Sequence, residues 1–310
     1  RIVFSKKLAE WIKLETGISE EYREVTGRLE NLAETVIEQA ERPGDVTHIL
    51  EAYYLIRQGN LDKDEAIQAL AANMLQNIST DRILDILLKD PESGRPGGDD
   101  IYSLVILGST TVERLLDRLR DSHSMAERNR IVQAVSRMGK TALEPVVQRL
   151  QQDEPWYYIR NLTLLLGRIG DQEQLYVLEP LLTYPDSRVQ VEAVKSIQAI
   201  NGEKAGEILL KNIDTVEPQL VSYIISVLGA LRYEAAVGYL IQVLESKRLW
   251  QSKTVREEIR AKACEALGRI RSPEAIGPLE RIVRERGLFK GYSENVRSVA
   301  AKALAHIKRG

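Results

Sequence analysis

The sequence predicts an all-α protein built as an α-solenoid, a stack of helical hairpins. The first observation is a period. Leu107, Met138, Ile169, Ile200, Leu231, Ile270 and Ile307 occupy equivalent positions, spaced 31, 31, 31, 31, 39 and 37 residues apart. A fixed period of this size marks a stacked repeat. The second is a stripe. Counted back from each of these residues, positions −3, −4, −7 and −11 are apolar or small, as in Leu166, Leu165, Leu162 and Tyr158, or Leu267, Ala266, Ala263 and Ile259. At about 100° per residue those offsets share one helix face. The third is composition: 44% hydrophobic residues with only two Phe, so aliphatic side chains must supply the core of the hairpins.

The elements follow in order. Residues 5–15 read as a short helix ending before Gly17, and Ser19 to Glu41 as a long one. Along the long helix Ile18, Tyr22, Val25, Leu29, Leu32 and Val36 alternate steps of four and three, a coiled-coil-like seam. Residues 1–44 are therefore expected to form an N-terminal helical cap. Arg42-Pro43-Gly44-Asp45 breaks the chain. Residues 45–90 read as degenerate helical repeats: a helix carrying Ile49, Tyr53 and Ile56, a second from Asp62 as N-cap to Gln76, and a third from about Asp81. The Gly-, Pro- and Asp-rich stretch 91–100 is expected to be a flexible loop. The regular array is expected over 101–310.

Within the array, a turn follows each marked residue. Gly139, Gly170-Asp171, Asn201-Gly202 and Ser272-Pro273 are turn and cap signals. A second helix then places apolar residues at Val147, Leu178, Leu209, Leu240 and Leu279, and again at Leu150, Leu181, Ile213, Val243 and Ile282. Pro155 and Pro218 sit where the following first helices begin, the position that tolerates proline. Two residues before the mark stand Gly167, Gly229, Gly268 and Ala305. Glycine inside a helix costs about 1 kcal/mol relative to alanine, so its recurrence there implies close helix–helix approach. Glu127 breaks the stripe at −11. No single unit buries its own stripe; stacking does, with first helices on the convex side and second helices on the concave side.

These units resemble HEAT repeats of the short bacterial kind related to those of phycobilin lyases. The resemblance rests on Val189, Glu192 and Ala193 in one copy and on Ala263, Ala266, Leu267, Gly268, Arg269 and Ile270 in another, and it covers roughly 101–310. Arg232-Tyr233 departs from the usual small or polar turn, and the last unit stops after one helix. The resemblance implies a scaffold or adaptor that presents a groove to a protein or peptide partner. Its lower-ranked implication is chromophore handling of the phycobilin-lyase type.

Composition limits the chemistry. The single cysteine, Cys264, excludes an intrachain disulfide framework and fits a reducing, cytoplasmic setting. No apolar run reaches the length of a bilayer span. The chain begins at Arg1, which reads as a processed protein or part of a larger multidomain chain. His48, His123 and His306 lie far apart, and no paired-histidine, CxxC, phosphate-loop or nucleophile-elbow pattern occurs. The sequence is thus expected to be non-enzymatic, without metal or cofactor.

Charge is uneven. Residues 246–310 hold sixteen Lys or Arg against seven Glu, a local +9, while the remainder carries −11. Nucleic-acid or other polyanion binding at this basic end is the alternative function, and it predicts steep salt dependence. The two departures from the 31-residue period fall between a second helix and the next first helix. They carry Lys247, Arg248 and Trp250 in one case and Arg286, Phe289, Lys290 and Tyr292 in the other. Aromatics flanked by cations suit an acidic peptide or stacked bases, so these seven are the expected partner-binding residues. Folding back to seal the edge of the stack is their structural alternative. Arg137, Arg168 and Arg269, one residue before the mark, form a possible basic ridge, though favourable charge near helix C-termini is sufficient to account for them.

Overall fold

The computed structural model describes residues 2–41, 43–60, 62–77, 80–88, 109–245, 252–285 and 291–309. Among them the secondary structure is helical, with no strand. The chain forms two compact units, residues 1–146 and 147–310.

The first unit contains α1 (Ile2–Leu14), α2 (Glu20–Gln39), α3 (Pro43–Gly59), α4 (Glu65–Asn77), α5 (Thr80–Leu87), α6 (Ser109–Asp121) and α7 (Met125–Met138). The hydroxyl of Ser19 accepts from the Tyr22 backbone N–H at 3.0 Å and starts α2. The buried stripe of α2 is Tyr22, Thr26, Leu29, Ala33, Val36 and Ile37. Thr26 and Ala33 are buried in the places expected for Val25 and Leu32, which are half-buried, and the steps still alternate four and three; α2 packs within its own unit on α1, α3 and α5. The cap of α4 is Asp64, whose Oδ1 accepts from the Ala66 N–H at 2.9 Å, not Asp62. Glu127, the break in the stripe, lies in the first turn of α7. Its backbone N–H donates to Ser124 Oγ and its carboxylate accepts from the Ser122 hydroxyl. The expected loop 91–100 lies outside the described residues, as does Leu107.

Helix α8 (Leu143–Leu150) holds the division between units. The second unit then alternates first and second helices. The first helices are α9 (Trp156–Ile169), α11 (Ser187–Ile200), α13 (Pro218–Ala230), α15 (Lys253–Ile270) and α17 (Glu294–Lys308). The second helices are α10 (Leu175–Leu178), α12 (Glu203–Asn212), α14 (Val237–Glu245) and α16 (Ile276–Arg284). Helix α10 tightens into a 3₁₀ turn over Glu179–Thr183, where Pro180 removes a backbone donor. The 31-residue period marks the ends of first helices: Met138, Ile169, Ile200 and Ile270 are last residues, and Leu231 follows α13 directly. Asn201, Arg232 and Arg271, one residue later, take φ of 61°, 52° and 63°. Left-handed backbone reverses the chain there, at a cost of about 1–2 kcal/mol for a residue such as Arg232.

The predicted second-helix positions Leu178, Leu209, Leu240 and Leu279 are fully buried. So are Tyr158, Leu162, Leu165 and Leu166 on the first-helix stripe. The second unit is therefore an α-solenoid of helical hairpins, each covering its neighbour's apolar face.

Candidate functional site

Neighbouring first helices meet by one rule: residue −2 of one helix faces residue −4 of the next. A Cβ placed on Gly167 would lie 2.7 Å from Ser196 Cα, one on Gly229 2.6 Å from Ala266 Cα, and one on Gly268 2.9 Å from Ala303 Cα. Only glycine against a small residue permits such approach. The recurrent glycine is thus a contact residue, as its spacing implied.

Polar bridges reinforce these close junctions. Between α9 and α11 the Arg160 guanidinium donates to the nearly buried carboxylate of Glu192 at 2.9 Å, and Ser196 Oγ donates to the Thr163 carbonyl at 2.8 Å. Arg188 stacks 3.3 Å over the Trp156 ring while donating to both oxygens of Asp186 at 3.0 and 2.7 Å. Between α13 and α15 the Ser222 hydroxyl donates to Glu258 at 3.1 Å. Between α15 and the segment leading to α17, Glu257 accepts from the Ser293 backbone N–H at 2.7 Å and Arg260 donates to the Gly291 carbonyl at 3.0 Å.

The junction of α11 with α13 breaks the rule. Its residues at −2 and −4 are Gln198 and Val227. These two helices touch far less than the other neighbouring first helices of the unit, and among the described residues no hydrogen bond or ion pair joins them. A cavity of about 640 Å³ opens at the N-terminal side of the pair. Tyr184, Pro185, Val191, Leu220 and Tyr223 supply its apolar wall, and Gln190, Lys195, Glu217 and Gln219 its polar groups. Pro218 starts α13 just behind Glu217, and Asp186 caps α11 by accepting from the Arg188 N–H, so both lips are rigid helix starts. Gln190 Nε2 donates to the Tyr184 carbonyl at 2.8 Å and fixes one lip. Burial, with the negative charge of Glu192, raises the Tyr223 hydroxyl above its ordinary value of 10.0. It stays protonated at neutral pH and remains a donor. Lys195 and Glu217 have no ion-pair partner among the described residues. The volume falls in the range of sites that take small ligands or anchor side chains.

The residues expected from the sequence are distributed differently. Lys247, Arg248, Trp250, Arg286, Phe289 and Lys290 lie outside the described residues. Tyr292 is turned inward: its hydroxyl donates to the Leu244 carbonyl at 2.9 Å, and its ring lies 4.7 Å beneath the Arg260 guanidinium. Arg137, Arg168 and Arg269 are exposed in the last turns of their helices, and Arg269 pairs with Glu265 at 2.6 Å. In the basic C-terminal region Arg260, Lys262, Arg281, Arg284 and Lys308 are also in ion pairs. Cys264 is buried, which pushes its thiol up to about 12; it packs rather than reacts. No group of His, Cys, Asp and Glu among the described residues is placed to hold a metal ion, and no helix among them is long and apolar enough to cross a membrane. The sequence did not point to Tyr184, Lys195, Glu217, Leu220 or Tyr223. The readable signal at this junction was Gln198, a large polar residue where three other copies carry Gly167, Gly229 and Gly268.

Among solved structures the chain is similar to human deoxyhypusine hydroxylase in complex with glycerol, at 14% identity and a TM-score of 0.38, over 92% of this chain and 99% of that one. It is similar to the CpcE–CpcF complex of phycocyanin lyase from Nostoc sp. PCC7120, at 18% identity and a TM-score of 0.31, over 95% and 97%. Importin beta matches at 14% identity and a TM-score of 0.42, over 92% of this chain and 44% of that one. No curated protein matches the sequence. The expectation of a non-enzymatic chain is corrected by these matches, since two are to proteins named as a hydroxylase and a lyase. Sites assembled from residues distant in sequence leave no motif, so a motif search does not exclude an enzyme. One family model matches: residues 143–225, from the start of α8 into α13 and including the open junction, are identified as HEAT repeats.

Proposed function

We propose that the chain is a protein-interaction scaffold of the cytoplasm and that its second unit takes an extended segment of a protein partner in the cavity between α11 and α13. One observation carries the reading: the two first helices that lack the glycine contact leave an apolar cavity with polar lips, while the neighbouring junctions are closed. Convergent apolar and polar groups in a preformed cleft are what an anchor side chain requires. An extended peptide also satisfies its backbone through side-chain amides, and Gln190 and Gln219 line the cleft.

Site-specific photocrosslinking tests it. A benzophenone amino acid in place of Gln219 is expected to capture a discrete partner in cells, and the same group in place of the exposed Tyr176 is not. Val191→Arg, which puts a charge into the cavity wall at a half-buried position, is expected to abolish the crosslink while urea unfolding stays near that of the parent. A crosslink that persists in Val191→Arg, or that forms equally from position 176, overturns the proposal.

A further inference from the structure

Resting on that reading, we infer that the preferred occupant of the α11–α13 cavity is a peptide of mixed charge: an apolar anchor residue flanked on one side by a basic residue and on the other by an acidic one. Two opposite charges, Lys195 on α11 and Glu217 at the start of α13, line the same cavity. They pair neither with each other nor with any other described residue. Elsewhere in the second unit Arg160, Arg188, Lys211, Arg269 and Arg281 find carboxylates. Val191, Leu220, Tyr184 and Tyr223 give the same cavity an apolar wall. A purely acidic ligand meets Glu217, and a purely basic one meets Lys195. Like charges brought together across an interface oppose binding, while complementary ones set specificity. A segment carrying both signs around an apolar residue satisfies all three features. In an extended strand, residues two apart lie about 7 Å from each other on the same side, so a charge two positions from the anchor reaches the rim while the anchor enters.

The probes are five fluorescein-labelled peptides built on one Gly-Ser frame with a central leucine. Two carry lysine and glutamate two positions either side of the leucine, in the two possible orders. One carries lysine only, one glutamate only, and one neither. Fluorescence anisotropy with the full chain is expected to show one mixed-charge order binding about tenfold more tightly than the uncharged peptide. Lys195→Glu alone is expected to remove that advantage. In the double variant Lys195→Glu/Glu217→Lys the preference is expected to pass to the opposite order, a gain that general destabilisation cannot produce. Equal binding of charged and uncharged peptides, a preference that does not invert in the double variant, or no binding by any peptide overturns the inference. The Val191→Arg crosslinking experiment separates this failure from failure of the docking reading. If that variant still abolishes the cellular crosslink, the cavity is the docking site and only the charge rule is wrong.

Discussion

The junction of α9 with α11 and the junction of α11 with α13 are built from the same repeat and share one helix, yet one is closed and the other open. At the first, Gly167 lies against Ser196, Arg160 reaches Glu192, and Arg188 covers Trp156. At the second, Gln198 and Val227 occupy the corresponding positions, no polar bridge joins the helices, and a cavity of about 640 Å³ remains. The long side chain of Gln198 thus stands at −2 where the closed junction has glycine, and the cleft opens nearer the helix starts, lined from Thr183 to Lys195 and from Glu217 to Tyr223. Glycine lets backbones touch, whereas a side chain there needs space that the neighbouring helix must vacate.

Exchanging the distinguishing residues breaks this comparison. Gly167→Gln places in the closed junction what the open one carries, and its Cβ alone would meet Ser196 Oγ at 2.5 Å. Overpacking against a helix backbone is expected to cost about 3 kcal/mol, measured by urea unfolding of the full chain. A cost below about 1 kcal/mol means that the glycine contact does not hold the helices together.

Arg160→Ala sharpens the role of the bridge. Glu192 is 4% exposed and would lose its guanidinium. Because Arg160 is itself partly solvated, the loss is expected at about 2 kcal/mol rather than the larger cost of breaking a fully buried pair. Adding Glu192→Gln is expected to recover most of it. Failure to recover assigns the effect to lost packing of the arginine stem instead.

The reverse exchange, Gln198→Gly, is expected to cost only the helix propensity of glycine, about 1 kcal/mol. If the helices then close, the peptide-binding signal falls with little change in stability. An unchanged signal shows that Val227 alone keeps the junction apart.

The smallest effect concerns a third, closed junction. Burial opposes ionisation of Glu257, but hydrogen bonds from Ser293 and the charge of Arg260 outweigh it and lower its pKa below 4.5. A lowered carboxylate pKa stabilises the folded state above the unfolded value near 4.5, and that contribution disappears as pH falls through the folded value. Glu257→Gln is therefore expected to be less stable than the parent by under about 1 kcal/mol at neutral pH, with the two curves converging below pH 4.5. Parallel curves at all pH values show that the carboxylate charge contributes nothing.

Much of this was legible beforehand. The period located the ends of α7, α9, α11 and α15 to the residue, and the stripe residues Tyr158, Leu162, Leu209 and Leu240 are buried as their spacing requires. Helical periodicity and the need to hide an apolar face are local properties of a sequence. The seam of α2 kept its steps of four and three but was placed on Val25 and Leu32, where the neighbouring Thr26 and Ala33 are buried, because both choices lie on adjacent lines of one helix face. Only the partners α1, α3 and α5 select between them. Tyr292 illustrates the same limit: an aromatic beside cations reads as an anchor, but its orientation beneath Arg260 depends on a helix more than thirty residues earlier.

By itself, then, the sequence determined the class, the repeat length and the inward face of each helix, because each follows from residues a turn or two apart. Which junctions closed and which stayed open was decided by the tertiary structure. The closed junctions bring residue −2 of one helix against residue −4 of the next, about thirty positions away, and bridges such as Arg160 to Glu192 form across them. Contact between side chains so far apart in sequence exists only once the stack has formed.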